Sequence, residues 1–182
     1  CDDNNDSEAV FDLTQTEAEL IGTQNASTLN ITYHSTQADA DTGTNALNET
    51  AYLSVGYQNT IYARVANASD ASCYATTSFQ LLIFDTPPAP TIPEWLVCDD
   101  NNDGIFTFNL NEKRIDLLNG NTDYSVSVHH TQNDADIGQN ALTDTFQNTV
   151  NPETLFFRIE NNNNAHCFST GSFALEVLDI ST

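Results

Sequence analysis

One stretch occurs twice, as Cys1-Asp2-Asp3-Asn4-Asn5-Asp6-Ser7 and as Cys98-Asp99-Asp100-Asn101-Asn102-Asp103-Gly104. A run of oxygen-bearing side chains beside a cysteine makes a poor core and a poor helix. Asp and Asn hydrogen-bond to nearby backbone and favour turns instead. Recurring at long range, the run marks the head of a repeated unit. The rest of the chain follows the same register. Cys1 aligns with Cys98 at an offset of 97, Thr36–Asp41 with Thr131–Asp136 at 95, and Cys73 with Cys167 at 94. The drift of three residues falls in segments that read as loops. The sequence thus predicts two homologous modules, 1–86 and 98–182, joined by a linker over 87–97.

Within each module the apolar residues alternate, the period of a half-buried strand. Ala9, Phe11 and Leu13 correspond to Phe106, Phe108 and Leu110, and Leu29, Ile31 and Tyr33 to Tyr124, Val126 and Val128. Ile61, Ala63 and Val65 correspond to Leu155, Phe157 and Ile159, and Phe79, Leu81 and Ile83 to Phe173, Leu175 and Val177. Short helical turns are expected at Thr14–Glu17, which has capping-box spacing, and after Asn111. Thr36 and Thr131 start further turns that Gly43 and Gly138 close in a left-handed conformation. His34, His129, Arg64 and Arg158 fall on the polar faces of their strands, each arginine beside a local carboxylate. The expected fold class is all-β: two tandem immunoglobulin-like β-sandwich modules joined by a Pro-rich linker. Between them, Thr86–Pro93 favours an extended, stiff backbone. Trp95, the only tryptophan, is expected to pack that linker onto the second module.

Four Lys+Arg against 26 Asp+Glu give a formal charge of −22. That charge repels phosphate backbones and anionic membrane surfaces, so neither nucleic acid nor direct membrane insertion is expected. No apolar run is long enough to span a bilayer, and no signal peptide is evident. The chain opens directly on the repeated motif, as a fragment of a longer protein would.

Each module carries two cysteines, one at its head and one at the start of its last hairpin. Nothing nearby completes a zinc ligand set, and nothing singles out one thiol as a nucleophile. The simplest arrangement is one disulfide within each module, Cys1–Cys73 and Cys98–Cys167, with pairing across modules left open. Either implies an oxidising compartment. The acidic stretch is also a candidate cation site. Asp99, Asn101 and Asp103 followed by Gly104 repeat the first half of an EF-hand loop, with the Ile105 carbonyl as a further ligand. Calcium suits such a loose oxygen set. The twelfth position is Leu110, where an EF-hand has its bidentate Glu. The first copy offers Asp2, Asn4, Asp6 and Glu8, with Ser7 in place of the glycine, which is expected to weaken or reshape its site. Asp41 and Asp136 are candidates to complete the two sets.

With Cys-Asp-Asp-Asn-Asn-Asp-Gly, Phe108–Leu110, Thr131–Asp136 and the Arg158-containing strand before Cys167, the chain resembles a known repeat class. These are tandem modules of large type IX-secreted, gliding-adhesin-like surface proteins of Bacteroidetes. The resemblance spans both copies. It implies an extracellular or cell-surface, non-enzymatic repeat that acts as stalk or adhesive module. Its expected partners are neighbouring repeats of the same protein, and surface glycans or another cell-surface protein.

A carbohydrate-binding accessory module of a secreted polysaccharide-degrading enzyme is the alternative. It needs exposed aromatics, for which Tyr52, Tyr57, Tyr62, Tyr74 and Trp95 are available. Paired carboxylates for glycoside hydrolysis could be found in any chain this acidic. Duplicated modules without a large insertion leave little room for a cleft, so no enzyme is expected.

Overall fold

The computed structural model describes residues 1–180. The chain divides into two units, Cys1–Phe84 and Asp85 onward. Unit one runs β1 (Glu8–Phe11), α1 (Glu17–Ile21), β2 (Leu29–His34), α2 (Gln37–Thr42), β3 (Tyr52–Val55), β4 (Gln58–Asn67) and β5 (Asp70–Leu82). Unit two runs β6 (Trp95–Asp99), β7 (Thr107–Asn109), α3 (Leu110–Leu118), β8 (Tyr124–His129), α4 (Gln132–Ile137), β9 (Thr145–Gln147), β10 (Glu153–Asn161) and β11 (Asn164–Asp179).

Both units are built on one plan. In unit one, β2, β4 and β5 form an antiparallel sheet, and β1 and β3 form a separate two-stranded ribbon. In unit two, β8, β10 and β11 make the equivalent sheet, and β7 pairs with β9. The apolar residues of alternating positions meet between the layers. Tyr33, Ile61 and Leu81 from the first sheet pack with Phe11 and Tyr52 from its ribbon. Phe108 and Phe146 from the second ribbon pack with Val128, Leu155 and Phe157. These are the expected tandem β-sandwich modules. The last hairpin of each closes on an Asn whose side-chain oxygen accepts from the backbone N–H two residues on: Asn67 from Ser69, Asn161 from Asn163.

Four details differ from the sequence expectation. The segment 87–97 is no free linker. Asn161 donates to the Asp85 carbonyl, Ser169 to the Pro87 carbonyl, and Ile92 and Trp95 pack against the core of unit two. Trp95–Asp99 then adds to the sheet as β6, parallel to β11. The apolar side chains just before Cys98 gain more from that burial than a spacer would. As expected, Trp95 seals this end, edge-on to Phe108 at 5.1 Å.

The first helical turns are capped earlier than expected, by Asp12 and Asn109. Each strand feeds straight into its turn, so a residue at the strand's end supplies the cap. The turns at Thr36 and Thr131 form as expected, with Gly43 and Gly138 left-handed.

His34 and His129 are fully buried instead of surface residues. Each Nδ1 lies 2.7 Å from a carbonyl, of Thr44 or Gln139. A carbonyl only accepts, so Nδ1 carries a proton, and in the neutral ring Nε2 accepts from the Thr32 or Ser127 hydroxyl.

Arg64 and Arg158 are also buried, beneath α2 and α4, which pack on what alternation alone marks as the outer face. Their main partners are backbone carbonyls, and Arg158 alone adds a carboxylate, Glu160 at 2.9 Å.

Candidate functional site: the acidic head loop and the cysteine hairpin

In both units the head loop winds around a buried carboxylate. Asp2 and Asp99 are each 2% exposed. One Asp2 oxygen accepts from the Asn5 N–H at 2.9 Å and the other from Ser7 at 2.6 Å. Asp99 accepts from Asn101 at 3.1 Å and from Gly104 at 2.6 Å. Burial alone would raise the Asp99 pKa. The N–H donors, Gly104 foremost, outweigh it and hold the carboxyl below its ordinary value. To bring these donors round, the backbone turns left-handed at the same two places in each copy. Asn5 and Ser7 have φ of 56° and 65°, and Asn102 and Gly104 of 57° and 73°. Ser7 therefore keeps the shape that Gly104 gives, contrary to the expectation of an altered first loop.

The outer side chains are exposed. Asn4 donates to Asp6 and Asn101 to Asp103, while the second oxygens of Asp6 and Asp103 accept from the N–H of Glu8 and Ile105. The fold thus brings Asn4 to Asp6 and Asn101 to Asp103, while Asp2 and Asp99 turn inward to backbone N–H groups.

It does not bring Asp41 or Asp136 to them. These lie on α2 and α4, where each accepts from a Gln one turn back and from Thr76 or Thr170. Thr170 is nine residues from Asp179, the partner of Asp99 in the β6–β11 ladder. At about 3.3 Å per residue that is roughly 30 Å. Among the described residues, no three His, Cys, Asp or Glu side chains converge as a metal cluster. An ion at either head loop would thus draw on Asn side chains and carbonyls as well as carboxylates.

The cysteines take the same geometry further. Cys98 stands opposite Leu178 in the β6–β11 ladder, and Cys167 is eleven residues earlier on the same strand. The two therefore lie roughly 36 Å apart along one strand, against about 7 Å as the most a disulfide spans. Unit one repeats this. The Asp2 N–H donates at 2.9 Å to the carbonyl of Phe84, just past the end of β5, and Cys73 lies near that strand's start. The expected pairs Cys1–Cys73 and Cys98–Cys167 therefore do not form. Cys1 and Cys167 are disulfide-bonded, whereas Cys73 and Cys98 are exposed free thiols.

The hairpin cysteine has a support that the sequence reading missed. Arg64 donates to the carbonyls of Ala40 and Asp41 at the end of α2 and to Ala71 in the hairpin. Its guanidinium carbon lies 3.5 Å from the centre of the ring of Tyr74, the residue after Cys73. Arg158 does the same with Ala135, Asp136 and Ala165, stacked at 3.4 Å on Phe168, next to Cys167. The signal was present as an arginine at equivalent positions and an aromatic following each hairpin cysteine. The clamp fixes the hairpin that presents the sulfur.

Of the five aromatics offered for a sugar face, Tyr57 stands exposed and Tyr62 is partly buried. Tyr52 packs on the core, Tyr74 lies against Arg64, and Trp95 meets Phe108 and the Lys113 ammonium. No helix among the described residues is long and apolar enough to cross a membrane.

No curated protein matches the chain. A protein-family model matches it twice, over residues 1–88 and 94–181, in the same two-module register as the internal repeat. The chain belongs to the Flavobacterium inter-domain disulphide bond domain family.

Proposed function

We propose that the chain is a structural, non-enzymatic segment of an extracellular repeat protein, whose successive modules are stapled by a disulfide between Cys1 and Cys167. The observation that carries this is that each hairpin cysteine lies near the start of its module's last strand, while the head cysteine lies on the segment that pairs about eleven residues further along. A module built so cannot close a disulfide on itself, and its sulfurs serve only to join it to another. With Cys73 and Cys98 free, Cys1 and Cys167 are left as each other's partner. Such a cross-link restricts the unfolded chain and is worth roughly 5 kcal/mol on the chain-entropy account. It also calls for an oxidising environment, in keeping with a secreted or surface location.

In this reading the module is a length of stalk, or the adhesive surface carried on one. Its first partners are neighbouring repeats, and an adhesive face would meet surface glycans or another cell-surface protein. Calcium at the head loops would add rigidity there. What supports it is the identical left-handed turn in both copies, with the oxygens of Asn4, Asp6, Asn101 and Asp103 on the exposed side.

The test is non-reducing peptide mapping of the oxidised chain. A linked pair of peptides containing Cys1 and Cys167 is expected, and a Cys1–Cys73 pair overturns the reading. Calorimetric calcium titration with melting curves in chelator tests the ion separately. An unchanged melting temperature and no binding heat would remove calcium without touching the staple.

A further inference from the structure

We propose that the groove between α1 and β5 of unit one is a docking site for an extended, tryptophan-bearing segment. The segment has the chemistry of residues 90–97 and adds to the sheet as a strand parallel to β5. Unit two already carries such a segment of its own. Trp95–Asp99 runs parallel to β11, with Trp95 opposite Leu175 and Asp99 opposite Asp179. Just ahead of it, Pro90–Pro93 share one cleft with Lys113, Asp116 and Leu117 of α3. The Trp95 ring is edge-on to Phe108, and the Lys113 ammonium faces both Trp95 and Phe173.

Unit one has the receiving half of this arrangement. At the head offset of 97, Thr16, Glu19 and Leu20 are the counterparts of Lys113, Asp116 and Leu117, and Phe79 is that of Phe173. These four residues line one groove of about 340 Å³. Beside it, β5 is the edge strand of its sheet. The core beneath is less covered to match. Phe108 and Phe173 are buried, whereas their counterparts Phe11 and Phe79 are only partly so.

The ladder that a docked strand would extend is already begun. The Asp2 N–H donates to the Phe84 carbonyl at 2.9 Å, and Phe84 is the counterpart of Leu178, which lies opposite Cys98. The next rungs back are Ile83, Leu82 and Leu81, whose counterparts in unit two pair with Val97, Leu96 and Trp95. Ile83 turns its N–H inward to the Tyr57 carbonyl, so Leu82 turns its own N–H to the open edge. This register fixes the direction of the docked segment and delivers its last residue to Cys1. The occupant is therefore the linker of a further repeat, Pro-rich and ending in an apolar run with tryptophan. Main-chain hydrogen bonds give such a strand its affinity, and the pocket for its side chain gives the specificity. With Thr16 in place of Lys113, the indole is held by apolar contact without an ammonium facing it. None of this needs a disulfide, so the docking is independent of the Cys1–Cys167 staple.

The test is the full chain with a second copy of residues 87–97 placed ahead of Cys1. Hydrogen exchange at the Leu82 amide is expected to slow by roughly tenfold or more against the chain without that copy, and unit one to melt at a higher temperature. With alanine at the tryptophan position of the added copy, most of both effects should be lost. Unchanged exchange at Leu82 overturns the proposal. So does equal protection by the alanine version, which would reveal an edge that accepts any strand. Both measurements are expected to come out the same in reductant, while peptide mapping of the oxidised sample reports on the staple separately.

Discussion

Phe157 lies across from Gly171 in the β10–β11 ladder, and its ring occupies the space where a side chain at 171 would begin. A Cβ built on Gly171 would come within 2.4 Å of the ring. In unit one the same two ladder positions hold Ala63 and Thr77. The two modules thus fill one site in opposite ways, large against none and small against medium. Gly171→Thr should destabilise unit two by about 3 kcal/mol or more, since the ring has to leave its rotamer. Adding Phe157→Ala should recover part of that loss, giving a non-zero coupling in a double-mutant cycle by chemical denaturation. Strict additivity of the two changes would show that the positions do not share the space.

Arg158 invites a second substitution. Its planar fork reaches three carbonyls and lies flat on Phe168 while also meeting Glu160. A lysine keeps the charge and loses the fork and the stacking. Arg158→Lys should therefore cost unit two about 2–3 kcal/mol, mainly through buried carbonyls left without donors. A loss under about 0.5 kcal/mol, the scale of an ordinary surface change, would mean that the clamp is ornamental.

What the sequence made legible was whatever is local. Phe173, Leu175 and Val177 sit inside because strand alternation is a two-residue period, and Thr131 with Gly138 bounds a helical turn within eight residues. What escaped was set by distance. The separation of Cys98 from Cys167 depends on β11 running for 16 residues without a break. No local motif announces that length. Arg158 and His129 sit on a face that alternation marks as outer, and only the packing of α4 against β8 and β10 buries it. The proline run reads as a stiff spacer, but its docking on unit two depends on partners such as Asn161 and Ser169, more than 70 residues on.

Acid should expose the carboxylate caps. Asp134 is held below its ordinary value first by the Thr131 hydroxyl, then by the Asn140 amide, and Asp39 likewise by Thr36 and Asn45. Their folded pKa values are depressed, so the unfolded chain takes up protons first as pH falls. The stability they contribute is complete above the ordinary aspartate value of 3.8 and is lost as pH drops through the lower folded value. Acid also relieves the repulsion of a −22 chain, so the absolute curve mixes two effects. The difference between wild type and Asp134→Asn isolates one. That difference should be steady between about pH 5 and pH 7 and shrink towards about pH 2. A difference independent of pH would show that the carboxylate form of Asp134 contributes nothing.

Ser7 and Gly104 provide a matched pair of opposite substitutions. Both residues stand left-handed and donate to the buried carboxylate at 2.6 Å, yet only glycine adopts that backbone without steric cost. The penalty for a side chain there is about 1–2 kcal/mol. No atom lies within 4 Å of a Cβ built on Gly104, so substituting it changes backbone preference and little else. Ser7→Gly should raise the stability of unit one by about 1 kcal/mol, and Gly104→Ser should lower that of unit two by a similar amount. Thermal unfolding in chelator reads both shifts with any bound ion removed. Repeating it in calcium asks whether the ion depends on the relaxed turn. Neither side chain supplies a candidate ligand, so an ion held by the neighbouring oxygens should raise all three melting curves by a similar amount. If Ser7→Gly instead lowers the melting temperature, the serine side chain is holding the loop, and the equivalence of the two head turns fails.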